Sequence, residues 1–194
     1  MADYDARTAL IVVDVQNDFA DPAGGLYVRG GEEIVPHVND EIERARGAGA
    51  LVVYTQDWHP ESTPHFEKDG GVWPVHCVRD TWGAELHPAL RVEGEVVRKG
   101  TDGEDGYSGF TVRDPRSGAP TPTVMESKLR ERGVERVVVV GIAADVCVKE
   151  TALDAVTRGF GTTVLREATR GVDLQPGDTE LAFVALAEAG AAVE

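Results

Sequence analysis

Six short aliphatic runs, rich in β-branched residues and nearly continuous in apolar character, recur along the chain at 9–13, 51–55, 95–98, 136–140, 162–165 and, more weakly, 191–193. A strand wetted on one face alternates apolar and polar residues, whereas an unbroken apolar run belongs to a strand covered on both faces. Covering both faces takes helices, and helical stripes lie between most of the runs. Ile34, Val38, Ile42 and Ala45 form one before a Gly-rich stop. Val148, Ala152, Ala155 and Val156 form another ending at Gly159, and Leu181, Val184 and Ala187 lead to Gly190 as a helix C-cap. Strand and helix in alternation imply right-handed crossovers and a mostly parallel sheet, so the expected fold class is a three-layer α/β/α. At 194 residues the chain supports one well-buried core and is too short for two full-sized ones, so 1–194 is read as a single domain.

Two stretches break the alternation. Residues 58–94 join the second and third runs with little periodicity, and an irregular connection of that length is more often functional than a mere link. Residues 113–122 have marked turn composition and read as a solvent-exposed excursion. The formal charge is −15, with acidic residues scattered rather than gathered in a tail. That balance argues against nucleic acid and anionic membrane as partners, since both need a basic footprint. Cys77 and Cys147 are the only cysteines and show no scaffold spacing, which fits a reducing, cytoplasmic setting. Asp3 and Asp5 precede a short apolar run that Asp14 interrupts, which is neither a signal peptide nor a membrane span.

In an open parallel sheet, ligands collect beyond the carboxyl ends of the strands where strand order reverses. The first run ends in Asp14, the second in Asp57 and the third in Lys99, while the fourth passes through Gly141-Ile142-Ala143 into a turn carrying Cys147. Cys147 falls at a helix start, where free N–H groups and the helix dipole favour an anion and lower a thiol pKa. The plain alternative is a small buried hydrophobe. Asp14 in an apolar strand costs free energy unless paired, although it could simply cap the next turn. Lysines are usually solvated, yet only four occur against fifteen arginines, and Lys99 sits between a buried run and Gly100. A nucleophile with a charged activating pair explains all three placements together.

Asp57 and His59 stand two apart at a strand end and project to the same side. His65 and His76 follow, so three of the five histidines fall within eighteen residues. One carboxylate and up to three imidazoles suit one divalent transition metal, Zn, Fe or Mn, better than Ca²⁺ or Mg²⁺. His37 and His87 lack companions and read as structural or surface residues. Neither GxGxxG nor a Walker phosphate loop occurs, so no organic cofactor is expected.

The segments Val13-Asp14-Val15-Gln16-Asn17-Asp18-Phe19, Asp57-Trp58-His59-Pro60, Pro64-His65-Phe66, Trp73-Pro74-Val75-His76-Cys77, Lys99-Gly100 and Gly141-Ile142-Ala143-Ala144-Asp145-Val146-Cys147-Val148 resemble, in order, those of the nicotinamidases (pyrazinamidases) among the isochorismatase-like cysteine hydrolases. The resemblance runs from about residue 8 to residue 193. It implies a six-stranded parallel sheet of order 3-2-1-4-5-6, a catalytic triad of Asp14, Lys99 and Cys147, and a metal on Asp57, His59, His65 and His76. It further implies a cis peptide before Ala143, an oxyanion hole formed by the N–H groups of Ala143 and Cys147, and substrate packing on Phe19 and Trp73. Tyr107 is placed near the pocket mouth. The implied activity is hydrolysis of nicotinamide to nicotinate and ammonia through a cysteine thioester in NAD salvage, with pyrazinamide as a second small-molecule substrate; a homo-oligomer is compatible with everything above. The acidic, Gly-rich segment 101–106 departs from the family pattern, as does Val146 at an often polar position. Three rivals stay open: a ureido or carbamoyl amidase of the same superfamily, a hydrolase using metal-activated water, and a non-catalytic metal or thiol module.

Overall fold

β1 (Thr8–Val13) is buried along its whole length, and the sheet is assembled on it. In the computed structural model, which describes residues 3–194, β1 pairs in parallel with β2 (Leu51–Asp57) on one side and β6 (Arg136–Ile142) on the other. Residues 1 and 2 of the expected domain lie outside the described residues. β3 (Glu95–Lys99) extends the sheet beyond β2, and β7 (Gly161–Arg170) and β8 (Ala192–Val193) extend it beyond β6. All six strands are parallel, in the order β3-β2-β1-β6-β7-β8. The sheet strands alone therefore follow the expected 3-2-1-4-5-6. The chain-order labels differ because β4 (Thr111–Arg113) and β5 (Pro120–Pro122) pair with each other in an antiparallel ribbon outside the sheet. That ribbon is the excursion expected at 113–122, with more regular structure than its turn composition conveys.

Side chains of β1 alternate between the two faces, and the core divides accordingly. Leu10 and Val12 pack with Phe19 and Ala20 of the short α1 (Asn17–Ala20) and with Val38, Ile42 and Ala45 of α2 (Val35–Gly47). Ala9, Ile11 and Val13 pack with Met125 and Leu129 of α3 (Met125–Glu131), Val148 and Ala152 of α4 (Cys147–Thr157), and Phe183 and Leu186 of α5 (Asp178–Glu188). Each fully buried aliphatic side chain contributes about 1.5–3 kcal/mol, which is why these continuous runs settle in the middle layer.

One helical stripe is corrected. Leu181 and Val184 are exposed, as is Ala187, and α5 instead buries Ala182, Phe183 and Leu186. Both faces of this helix are apolar, so the 3.6-residue period fits either, and the large Phe183 ring decides. Among the described residues no helix is long and apolar enough to cross a membrane. Strand order reverses between β1 and β6, so the carboxyl ends of these two strands open onto one crevice.

Candidate active site

Three strand ends supply the first cluster. Asp14, directly after β1, and Lys99, the last residue of β3, are at most 1% exposed, and Cys147 opens α4 at 8% exposure. Lys99 Nζ lies 2.7 Å from Asp14 Oδ2, 2.6 Å from Asp57 Oδ1 and 3.8 Å from Cys147 Sγ, and also donates to the Gly106 carbonyl. One ligand atom from each of Asp14, Asp57 and Cys147 lies within 4.8 Å of the others. Thr55 donates to Asp14 Oδ1 at 2.6 Å. Asp14 Oδ2 is the oxygen that pairs with Lys99, and the Cys147 thiol is within hydrogen-bonding reach of the same carboxylate.

Burial raises the Asp14 pKa to about 6 despite Lys99, with Asp57 adding to the rise. Burial opposes the Lys99 ammonium, but Asp14 and Asp57 outweigh it and hold Lys99 charged. The expectation of a lowered Cys147 pKa is corrected. Burial pushes the thiol well above its ordinary range, Lys99 opposes this, and Asp14 and Asp57 reinforce it. A helix start cannot offset two carboxylates in a dry site, so the resting group is a thiol that needs a base.

The turn before Cys147 is shaped by close backbone approach. Gly141 adopts φ 111°, and a Cβ there would stand 2.1 Å from the Val13 carbonyl oxygen, so only glycine fits. The Ile142–Ala143 peptide is cis, as the resemblance implies. Ala144 N–H donates to the Arg170 carbonyl, and Val146 and Val148 N–H both donate to that of Ala143. The N–H groups of Ala143 and Cys147 donate to no backbone carbonyl among the described residues, and both residues line the same pocket.

The second cluster hangs from the irregular connection. Ligand atoms of His59, His65 and His76 lie within 4.8 Å of one another, and all three residues are buried. Asp57 Oδ2 is 3.9 Å from His59 Nε2 and 4.0 Å from His76 Nε2. The backbone at Asp57 is clamped by Gln16, which accepts from Asp57 N–H and donates to its carbonyl, each at 2.8 Å. His59 packs into a cradle that exists because residue 100 is glycine: a Cβ on Gly100 would fall 2.5 Å from the ring. Burial lowers the His59 pKa to about 3 and also lowers that of His76.

The donor set fits a divalent metal. Both ring nitrogens of His59 are buried with no partner among the described residues, an arrangement proteins avoid unless another group completes it. The His76 Nδ1 contact to the Pro74 carbonyl, 2.7 Å, requires a proton on Nδ1 and leaves Nε2 as a lone pair. Asp14 and Asp57 against the single Lys99 ammonium also leave net negative charge in the buried site, which favours a cation.

Between the clusters opens a pocket lined by Asp57, His65, His76 and Cys147 on its polar side. Its apolar wall includes Phe19 and Trp73, which the resemblance implies as substrate-packing residues, and Tyr107, which it places near the mouth. Trp73 Nε1 donates to the Tyr107 hydroxyl at 3.0 Å, so these two rings form one wall. Gly106 and Ala143 also line it, as do the larger aliphatic residues Leu26, Val28, Ile142, Val146 and Val172. Of these larger aliphatic residues, the sequence singled out only Val146, because scattered aliphatic residues carry no spacing that marks a pocket. His37 is exposed and His87 lies outside the pocket, as expected. Cys77 is buried, and its backbone N–H donates to Asp18.

The isochorismatase domain model matches residues 8–194. The nicotinamidase of Escherichia coli is 35% identical over 94% of this chain and 92% of its own length. The nicotinamidase/pyrazinamidase of Mycobacterium tuberculosis is 41% identical over 84% and 87%. The crystal structure of the pyrazinamidase of Pyrococcus horikoshii in complex with zinc superposes with a TM-score of 0.86 at 40% identity, covering 97% of this chain and 98% of that one.

Proposed function

The chain belongs to the isochorismatase domain family, and we propose that within it the chain hydrolyses nicotinamide to nicotinate and ammonia through a thioester on Cys147. The observation that carries the chemistry is the buried Cys147 thiol within hydrogen-bonding reach of the Asp14 carboxylate, which Lys99 holds in place. Asp14 accepts the Cys147 proton, and the thiolate attacks the carboxamide carbon. The oxyanion that forms meets the N–H groups of Ala143 and Cys147; one such donor typically contributes about 2.7–4 kcal/mol. Asp14 then gives its proton to the departing amine, which leaves as ammonia. Water attacks the thioester with Asp14 again accepting a proton, the C–S bond breaks, and the proton returns to the thiol. Lys99 stays charged throughout and holds Asp14 and Asp57 in place.

Asp57, His59, His65 and His76 would hold a divalent transition metal, Zn, Fe or Mn, which supplies a Lewis-acidic position for the ring nitrogen of the substrate. Phe19, Trp73 and Tyr107 flank the flat ring. Pyrazinamide keeps a nitrogen at the equivalent ring position and is the second substrate. Nicotinate release serves NAD salvage, and two free cysteines support a cytoplasmic setting. A metal-water hydrolase would leave the Asp14, Lys99 and Cys147 constellation without a task. A ureido or carbamoyl amidase would leave the three histidines without one. An ammonia-release assay on metal-replete enzyme decides the substrate: nicotinamide and pyrazinamide are turned over, and faster release from a ureido compound would reject the assignment. The same assay on Cys147→Ala separates the thioester route from metal-activated water.

A further inference from the structure

The segment 101–106, acidic and rich in glycine, is tied to both clusters. Lys99 donates to the Gly106 carbonyl, Thr63 Oγ1 donates to the Gly103 carbonyl at 2.6 Å, and Asp105 Oδ1 lies 2.6 Å from His65 Nδ1. The backbone of Asp105 is itself fixed. Its N–H donates to the Arg113 carbonyl at 2.8 Å, and the Arg113 N–H donates back at 2.9 Å, joining it to β4. The exposed ribbon is thereby the footing of a residue that touches a buried histidine.

We propose that Asp105 is a positioning residue for the metal site, fixing the ring plane and tautomer of His65. The inference rests on the reading of His65 as a metal ligand. An ionised carboxylate only accepts hydrogen bonds, so the 2.6 Å contact places a proton on Nδ1 and leaves Nε2 as the lone pair. His76 is aimed in the same way by the Pro74 carbonyl, 2.7 Å from its Nδ1. His59 has no such acceptor and is held instead by the Gly100 cradle and by stacking on His65, with ring centroids 4.7 Å apart. His65 therefore orients a second ligand as well as itself. Outer partners of this kind typically account for about 10- to 100-fold in metal affinity.

The test is Zn²⁺ affinity by chelator competition on the full-length enzyme, with the absorption spectrum of the Co²⁺-substituted protein as a second readout. Asp105→Ala weakens Zn²⁺ binding by about 10- to 100-fold and changes the Co²⁺ spectrum. Asp105→Asn, whose carbonyl oxygen still accepts from Nδ1, recovers most of the affinity. Asp102→Ala removes the same charge from an exposed position on the same segment and leaves affinity unchanged. Should Asp105→Ala fail to fold, Asp105→Leu, close in shape and without an acceptor, repeats the measurement. Wild-type affinity and spectrum in the folded alanine or leucine variant, or an equal loss in Asp102→Ala, would overturn the proposal. A wild-type enzyme that takes up no metal would instead overturn the metal reading beneath it.

Discussion

Asp14 and Lys99 lie at the ends of parallel strands and Cys147 opens the helix after a third, whereas His59, His65 and His76 are carried by an irregular connection of the chain. The first group is held by the sheet: β1 and β6 pair along their length, and Lys99 reaches its partners from the end of β3. The second group is held by side-chain contacts, Gln16 on Asp57, Asp105 on His65 and the Pro74 carbonyl on His76. Charge separates them further. Asp14 and Lys99 satisfy one another within the polypeptide, while His59 has two buried ring nitrogens with no partner among the described residues. In the proposed function, one half transfers protons and the other is completed by a cation. Asp57 belongs to both, with Oδ1 on Lys99 and Oδ2 facing the histidines.

The comparison breaks first at Cys147. Cys147→Ala lowers kcat by at least about 10³-fold while nicotinamide and metal both still bind, because acyl transfer has no second nucleophile. Retention of more than a few per cent of kcat would move the chemistry to metal-activated water. Lys99→Met is next. Removing the ammonium strands two buried carboxylates, and loss of one partner of a buried pair typically costs about 3–5 kcal/mol. Thermal melting of the variant checks this, and an unchanged Tm would mean that the carboxylates are not both charged.

On the histidine side, His76→Ala lowers metal occupancy measured by elemental analysis, from about one ion per chain in the wild type. Full occupancy in the variant would remove His76 from the ligand set. The smallest effect sharpens the proton-transfer half. Burial raises Asp14 to about 6, and the base must be ionised to accept the thiol proton. Activity is therefore present above this value and falls as pH drops through it, approaching about tenfold per unit in kcat/KM. An acid limb near the ordinary Asp value of about 3.9 would show that Asp14 is not the base.

The sheet half was legible in the sequence because parallel strands buried on both faces need unbroken apolar runs, and Asp14 and Lys99 stand where such runs stop. Cys147 follows from the same rule, since the turn after β6 begins a helix. The histidine half was legible as residue types but not as support. Asp105 sits in a segment whose acidic composition looks like a solvated loop, and only the approach of β4 brings it to His65. The thiol pKa was misjudged for a related reason: helix position is visible along the chain, whereas how completely the thiol is buried beside the two carboxylates is not. The α5 stripe failed because the helix is apolar on both sides, and periodicity cannot choose between equal faces.

The division of labour is tested most directly by the ratio of kcat/KM for nicotinamide and benzamide, in the wild type and in His76→Ala. Benzamide carries the same carboxamide without a ring nitrogen, so the wild-type ratio is on the order of 10² or more. It stays below the roughly 10⁴–10⁵ of a fully unpaired polar site, because water can take the vacant position. If the histidine cluster reads the ring and Cys147 performs the acyl chemistry, His76→Ala collapses the ratio toward one while benzamide turnover survives. Equal loss on both amides, with the ratio unchanged, would contradict the account.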